Sequence, residues 1–219
     1  MKNQSVPLQR FLFFVIAVGC VVPPLFVTAV PPVFSTFPTV SLALAVGSGV
    51  LLAALHNVMP AHRWGAVRAA GPVPILVTCG VLCISAAVLE AAIAYGVITP
   101  SASPRIPDSG SAYGYAVLSY LCGALYEETL YRWYVPETLI RLLPTGVRTN
   151  GMHAAVEATA VVLFAAAHRY IGAAAVVHAT CAGCALRWCF LKTHTIVPGI
   201  VIHAVYNCTL FALFVYASA

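Results

Sequence analysis

The chain has 219 residues, of which 61% are hydrophobic and only 8% carry a formal charge. Soluble domains are about 25% charged, so a water-soluble fold of this size would expose too much apolar surface. The formal net charge is +5, but the basic residues stand singly or in pairs between apolar runs. That pattern is typical of membrane-protein loops. We therefore expect the lipid bilayer as the main partner and no nucleic-acid partner.

Seven stretches are long and apolar enough to cross a bilayer, which takes about 20 residues. They cover roughly 11–33, 38–57, 73–98, 113–143, 153–169, 170–191 and 196–217. The expected fold class is all-α, a polytopic membrane helical bundle with about seven transmembrane helices. Pro23 and Pro24 interrupt the first stretch and further spans follow closely, so we interpret it as a retained helix and not as a signal peptide.

The fourth stretch is longer than a bilayer requires. Its second half, from Arg132 to Leu143, carries Glu137 and Arg141, so we expect part of 132–152 to lie at the interface, outside the hydrocarbon. The segment 99–112 contains three prolines and several serines, a composition typical of a loop.

Basic residues in the loops predict the orientation. With a cytoplasmic N-terminus, the inner segments carry Lys2, Arg10, Arg63, Arg68, Arg141, Arg148, Arg187 and Lys192, and the outer ones carry Arg105 and Arg169. This excess of inner positive charge is the usual bias of membrane proteins. We expect an integral membrane protein with its N-terminus in the cytoplasm. The short chain favours a bacterial inner (plasma) membrane.

Ionisable residues inside membrane spans are energetically costly, so each one is a functional hypothesis. The candidates are Glu90, Glu127, Glu128, Arg132, Glu157, His168, His178, Arg187 and His203. Glu128 and Arg132 are one helical turn apart and can pair. Glu127 points about 100° away on the helix and has no partner there. Glu127 is therefore a candidate general base, although a structural charge cluster explains the pair alone equally well.

His168 ends the apolar run that begins at Phe164. The midpoint between Glu127 and His168 falls inside the predicted loop 144–151, and residues equally far from the turn of an antiparallel hairpin lie at the same level. We therefore expect Glu127 and His168 to face each other. The alternative is a histidine at the membrane interface.

His203 and Asn207 are four residues apart on the last span and share one helix face. Two donors aimed at one point in a dry cavity form an oxyanion site. The alternative is hydrogen bonding between helices, which is common for these residue types in membranes.

Together, a carboxylate, a histidine partner and a donor pair are the groups needed to hydrolyse an amide. A proton-coupled membrane transporter is the main alternative, since intramembrane charges also form proton paths. Inverted repeats would favour a transporter, and none stands out. A non-catalytic membrane scaffold or immunity protein is the third alternative, and the intact set of polar residues argues against it.

Three motifs resemble the CPBP family, named for CAAX proteases and bacteriocin-processing enzymes. The family pattern is E-E-x-x-x-R, then F-x-x-x-H, then H-x-x-x-N. Here the motifs are Glu127-Glu128 with Arg132, Phe164 with His168, and His203 with Asn207. The resemblance covers about residues 113–217. It divides the chain into N-terminal transmembrane helices at 1–112, about three in number, and a CPBP-like catalytic helical core at 113–219.

The resemblance implies a membrane-embedded CAAX-type peptidase, an intramembrane glutamic endopeptidase. By that analogy Glu127 and His168 activate a water, His203 and Asn207 stabilise the oxyanion, and Glu128 with Arg132 supports the first helix. The expected substrate is a peptide or a membrane protein. No cofactor is favoured, and the alternative is a Zn²⁺ ion held by Glu127, His168 and His203. Trp133 departs from the pattern, because members often have glycine after the arginine.

Overall fold

A computed structural model describes residues 11, 13–26, 34–55, 71–99 and 105–218. Within these ranges the chain forms helices and turns and no strand. The α-helices bounded there are α1 Thr39–Leu55, α2 Val73–Ala94, α3 Gly110–Glu127, α4 Val135–Leu142, α5 Asn150–Ala167, α6 Ala173–Thr193 and α7 Val197–Ser218. The predicted all-α class is confirmed.

Four of these helices, α2, α5, α6 and α7, are long and apolar enough to cross a membrane by length and composition. Helix α1 is apolar but has only 17 residues. The fourth predicted stretch forms α3, a π-helical segment at Glu128–Tyr134 and α4 in succession. The first predicted stretch contains a π-helical turn at Ala17–Val21 and a 3₁₀ turn at Pro23–Phe26, and its residues 27–33 lie outside the described ranges.

Local sequence explains where the helices of the second half begin and end. The side chain of Ser109 accepts a hydrogen bond from the Ala112 N–H at 3.3 Å, and Thr149 accepts one from Met152 at 3.2 Å. Both side chains satisfy amide groups that a helix leaves unpaired at its start. Helix α6 ends at Thr193, and the next residue, His194, has a left-handed backbone with φ 53°, so the chain turns sharply before α7.

The bundle packs around the π-helical segment Glu128–Tyr134, which we call the π segment. Its side chains include the largest fully buried ones in the described chain, among them Trp133, Arg132, Tyr131 and Tyr134. Helix α3 packs against α1 and α7, α6 packs against α2 and α5, and the π segment contacts α5 and α6. By contrast, α2 exposes Leu76, Ile84 and Val88, a surface suited to lipid.

One expectation from the loop charges was wrong. Arg187 was counted with the inner basic residues as well as with the ionisable residues inside spans, and it lies on α6 with only 4% of its surface exposed. It forms ion pairs with Glu157 on α5 and Glu137 on α4. A charge can be buried because these carboxylates compensate it, so Arg187 carries no information about orientation. The cytoplasmic N-terminus stays a prediction.

Candidate functional site

The first motif lies where regular α-helix gives way to π-helix. Helix α3 ends at Glu127 and the π segment begins at Glu128. At its end, the Val135 N–H bonds to the carbonyl of Leu130, five residues earlier. Single π turns inside longer helices occur frequently at functional sites, because they change which side chains face inward.

Glu128 is the most deeply buried carboxylate of the site, with its side chain 1% exposed. Its Oε1 lies 3.4 Å from Arg132 Nη2, and His203 Nδ1 donates to the same oxygen at 2.9 Å. The predicted pairing of Glu128 with Arg132 is therefore present. Glu128 additionally joins the first motif to the third, a contact that the sequence did not predict.

Close approach of Glu128 to α7 depends on Gly199. A Cβ atom added at Gly199 would lie 2.8 Å from Glu128 Oε2. This distance is too short for a normal contact, so a larger residue would displace the carboxylate or the helix.

Glu127 presents a buried oxygen to His203. The Glu127 side chain is 24% exposed, but Oε2 is buried and makes no hydrogen bond with the described residues. His203 Nε2 lies 3.7 Å from it. A polar contact longer than a hydrogen bond leaves both groups able to share a water. Glu127 and Glu128 therefore engage opposite nitrogens of one imidazole.

Phe164 brings the three motifs together. The guanidinium of Arg132 lies 3.8 Å above its ring, and the rings of Phe164 and His168 are 4.7 Å apart. The ring of His203 packs edge-on against Phe164 at 6.3 Å. Cation–π and edge-to-face contacts of this kind orient the partners as well as attracting them.

His168 caps the end of α5 and has its tautomer set by the backbone. Its Nδ1 lies 2.8 Å from the carbonyl oxygen of Phe164. Because a carbonyl can only accept, Nδ1 carries the hydrogen, and Nε2 keeps the lone pair in the neutral ring. His168 thus has one nitrogen available for chemistry.

Glu127 has a partner that the hairpin argument did not include. Among the described residues, the ion pair of Glu127 is with His203 and not with His168. Asn207 lies one turn beyond His203, half-buried, and its side chain makes no hydrogen bond with the described residues. Direct cooperation of Glu127 with His168, and the oxyanion role of His203 and Asn207, stay predictions.

His178 belongs to a separate polar chain that links three helices. The Tyr206 hydroxyl lies 2.9 Å from Nε2, and Ser85 Oγ lies 3.4 Å from Nδ1. Ser85 donates its own hydrogen to the carbonyl of Leu82. Ser85 therefore accepts from Nδ1, and Tyr206 donates to Nε2, so a neutral His178 is fully satisfied.

Within the described ranges, no three His, Cys, Asp or Glu side chains are grouped in a way that could hold a metal ion. The side chains as placed therefore do not fit the zinc alternative of Glu127, His168 and His203. That alternative stays a prediction.

Residues 109–209 match the sequence profile of the family described as "Type II CAAX prenyl endopeptidase Rce1-like". The resemblance of this segment to the CPBP family of CAAX proteases is confirmed. The matched segment begins at the capping residue of α3 and contains all three motifs. Comparisons with curated proteins and with solved structures give no match. The family match and the apolar helices together support a membrane protease.

Proposed function

We propose that this protein is an intramembrane endopeptidase that hydrolyses a peptide bond with a water activated by Glu127 and His168. One observation carries the proposal. The free, buried Oε2 of Glu127 lies 3.7 Å from His203 Nε2, at the point where the three family motifs converge on Phe164.

Glu127 is suited to take the proton from the water. Its buried Oε2 has no hydrogen-bond partner among the described residues, so a water that enters the site can donate to it. His168 has an unprotonated Nε2 when neutral, so it assists as a second proton acceptor. The water oxygen then bonds to the carbonyl carbon and its proton passes to Glu127.

His203 and Asn207 are suited to stabilise the oxyanion that forms in this step. His203 donates Nδ1–H to Glu128. When both ring nitrogens are protonated, its Nε2–H points to the site. The free amide of Asn207 supplies a second donor one turn away. The tetrahedral intermediate then breaks at the carbon–nitrogen bond, and Glu127 returns its proton to the departing amine.

We infer the substrate class from the family name and from an apolar groove along α7, the helix that carries His203 and Asn207. The family name specifies prenyl CAAX substrates. A groove of about 460 Å³ between α3 and α7 is lined by Leu121, Ala204, Val205, Cys208, Thr209, Ala212 and Leu213. Ala204 and Cys208 directly follow the two motif residues of α7. The groove supports a peptide that carries an apolar or lipidated residue next to the cleaved bond.

The test is cleavage of a fluorogenic lipidated peptide by purified protein in liposomes. Glu127→Gln keeps the size of the side chain but removes the base, so we expect kcat to fall by about 10³-fold, within the usual range for general-base catalysis. Glu90→Gln is the matched control, because Glu90 lies exposed on α2. We expect this variant to retain wild-type activity.

Other outcomes distinguish the alternatives. Equal cleavage by wild type and Glu127→Gln would remove Glu127 from the chemistry. Loss of cleavage with a chelator, restored by Zn²⁺, would support the zinc alternative. Proton flux through the liposomes that Glu127→Gln abolishes, without cleavage of any peptide, would support the transporter.

A further inference from the structure

Arg187 forms a buried ionic cluster next to the proposed site but makes no contact with its reacting groups. Its Nε and Nη2 donate to the two carboxylate oxygens of Glu157, each at 2.5 Å. Nη2 also lies 3.4 Å from Glu137 Oε1. The remaining arm, Nη1, donates to the main-chain carbonyl of Arg132. One planar guanidinium thus joins α4, α5 and α6 to the π segment.

The carbonyl of Arg132 lacks its ordinary helical partner. In an α-helix this oxygen would accept the N–H of residue 136, which is Pro136 and has no N–H. The preceding residues bond in the π pattern, which ends with Val135 donating to Leu130. Arg187 therefore supplies the donor at the point where the chain changes from π-helix to α4.

The location of this hydrogen bond connects it to the site. Arg132 also pairs through its side chain with Glu128 and lies over Phe164. Glu128 in turn holds the ring of His203. A shift of the Arg132 backbone would move the carboxylate that orients His203.

A buried ion cluster is poor evidence for added stability, because desolvation offsets the attraction between the charges. Its best-attested use is to fix one arrangement of packed elements. Here Glu157 binds Arg187 through two parallel hydrogen bonds, which leaves the third arm in a fixed direction.

We propose that Arg187 is a positioning residue that locks the π segment in register by replacing the backbone donor that Pro136 lacks. Glu157 and Glu137 compensate its charge and orient its Nη1 toward the Arg132 carbonyl. The kinetic part of the test rests on the proposed peptidase function.

The test is a double-mutant cycle between positions 187 and 136. Arg187→Gln is made together with Glu157→Gln, so that no carboxylate of that pair is left uncompensated. We expect kcat to fall by about 10- to 100-fold, as small displacements of catalytic groups do, with KM changed by less than about twofold. Adding Pro136→Ala restores an N–H at residue 136 and should recover most of the lost kcat. Pro136→Ala alone measures the effect of that substitution by itself.

Hydrogen exchange of the peptide covering 128–135 tests, without a substrate, whether Arg187 holds the π segment in place. Exchange should accelerate by about tenfold or more in the neutral pair variant and slow again when Pro136→Ala is added. Arg187→Lys covers the case of a misfolded pair variant. Lysine keeps the positive charge next to Glu157 but lacks the planar guanidinium. We therefore expect a hydrogen-exchange rate between those of the wild type and the pair variant, and a slower rate when Pro136→Ala is added.

Wild-type kcat and wild-type exchange in the folded variants would overturn the proposal. A loss that Pro136→Ala does not rescue would also overturn it, since Arg187 would then act only through its ion pairs. If the wild type cleaves nothing, the proposed function fails, and the exchange measurement still decides the role of Arg187.

Discussion

His203 and His178 both lie on apolar helices of the bundle, but their neighbours differ in charge. His203 on α7 is buried and lies between two carboxylates, 2.9 Å from Glu128 and 3.7 Å from Glu127. His178 on α6 lies between the hydroxyls of Tyr206 and Ser85. Both ring nitrogens of His178 have hydrogen-bond partners, whereas Glu127 has a buried oxygen without one among the described residues.

This difference separates a satisfied histidine from one suited to chemistry. The hydroxyl chain at His178 ends on the carbonyl of Leu82 and holds α2, α6 and α7 together. Such a network favours one fixed neutral state. The neighbours of His203 are carboxylates instead, which can accept protons, and this is the property that the proposed acid–base catalysis needs.

The comparison is tested most strongly by replacing each histidine with glutamine. We expect His203→Gln to lower kcat by about 10²- to 10³-fold, because it removes a proposed oxyanion donor and the partner of both carboxylates. His178→Gln should leave kcat within about threefold and lower the stability of the bundle by about 1 kcal/mol. Cleavage kinetics and thermal unfolding in detergent measure both effects.

Equal kinetic losses in the two variants would show that the hydroxyl chain also takes part in the reaction. A fully active His203→Gln would remove the third motif from the mechanism and leave Glu127 with His168 alone.

Gly199→Ala changes the surroundings of His203 indirectly, and we expect a smaller effect on kcat than for His203→Gln. The new Cβ would lie 2.8 Å from Glu128 Oε2, and that carboxylate is held by both Arg132 and His203. We expect the displaced carboxylate to release the imidazole, with kcat lowered by about 10-fold or more. Gly80→Ala on α2 is the control, because a Cβ there meets no atom within 4 Å.

For Gly80→Ala we expect unchanged kcat and a small gain in helix stability of about 0.5 kcal/mol. If Gly199→Ala had the same kcat and the same stability as Gly80→Ala, the contact between α7 and Glu128 would be looser than the distances indicate.

The sequence predicted the helices and the motif residues because both depend on local patterns. Apolar runs of sufficient length gave α2, α5, α6 and α7, and the spacing of four residues gave the pairing of Glu128 with Arg132. The resemblance to the CPBP family came from residues of the three motifs, and all of them lie in the matched segment 109–209.

The contacts between helices could not be predicted in the same way. A π segment rotates all residues after it relative to a regular α-helix, so the hairpin argument for Glu127 and His168 used an incorrect geometry after Glu127. The pairing of Arg187 with Glu157 was also missed. One signal was available, since an arginine and a glutamate without local partners on neighbouring apolar helices are expected to pair.

The smallest change that tests the comparison between His178 and His203 removes one hydroxyl next to His178. Tyr206→Phe deletes the hydroxyl that lies 2.9 Å from His178 Nε2 but keeps the ring that stacks on the imidazole. Hydrogen bonds between membrane helices contribute about 0.6 kcal/mol on average, so we expect thermal unfolding a few degrees lower and unchanged kcat. Tyr216→Phe on the same helix is the control, because Tyr216 is 84% exposed. A loss of kcat in Tyr206→Phe without a loss of stability would contradict the distinction. The hydroxyl chain would then carry protons for the reaction, since its three groups can donate and accept in sequence.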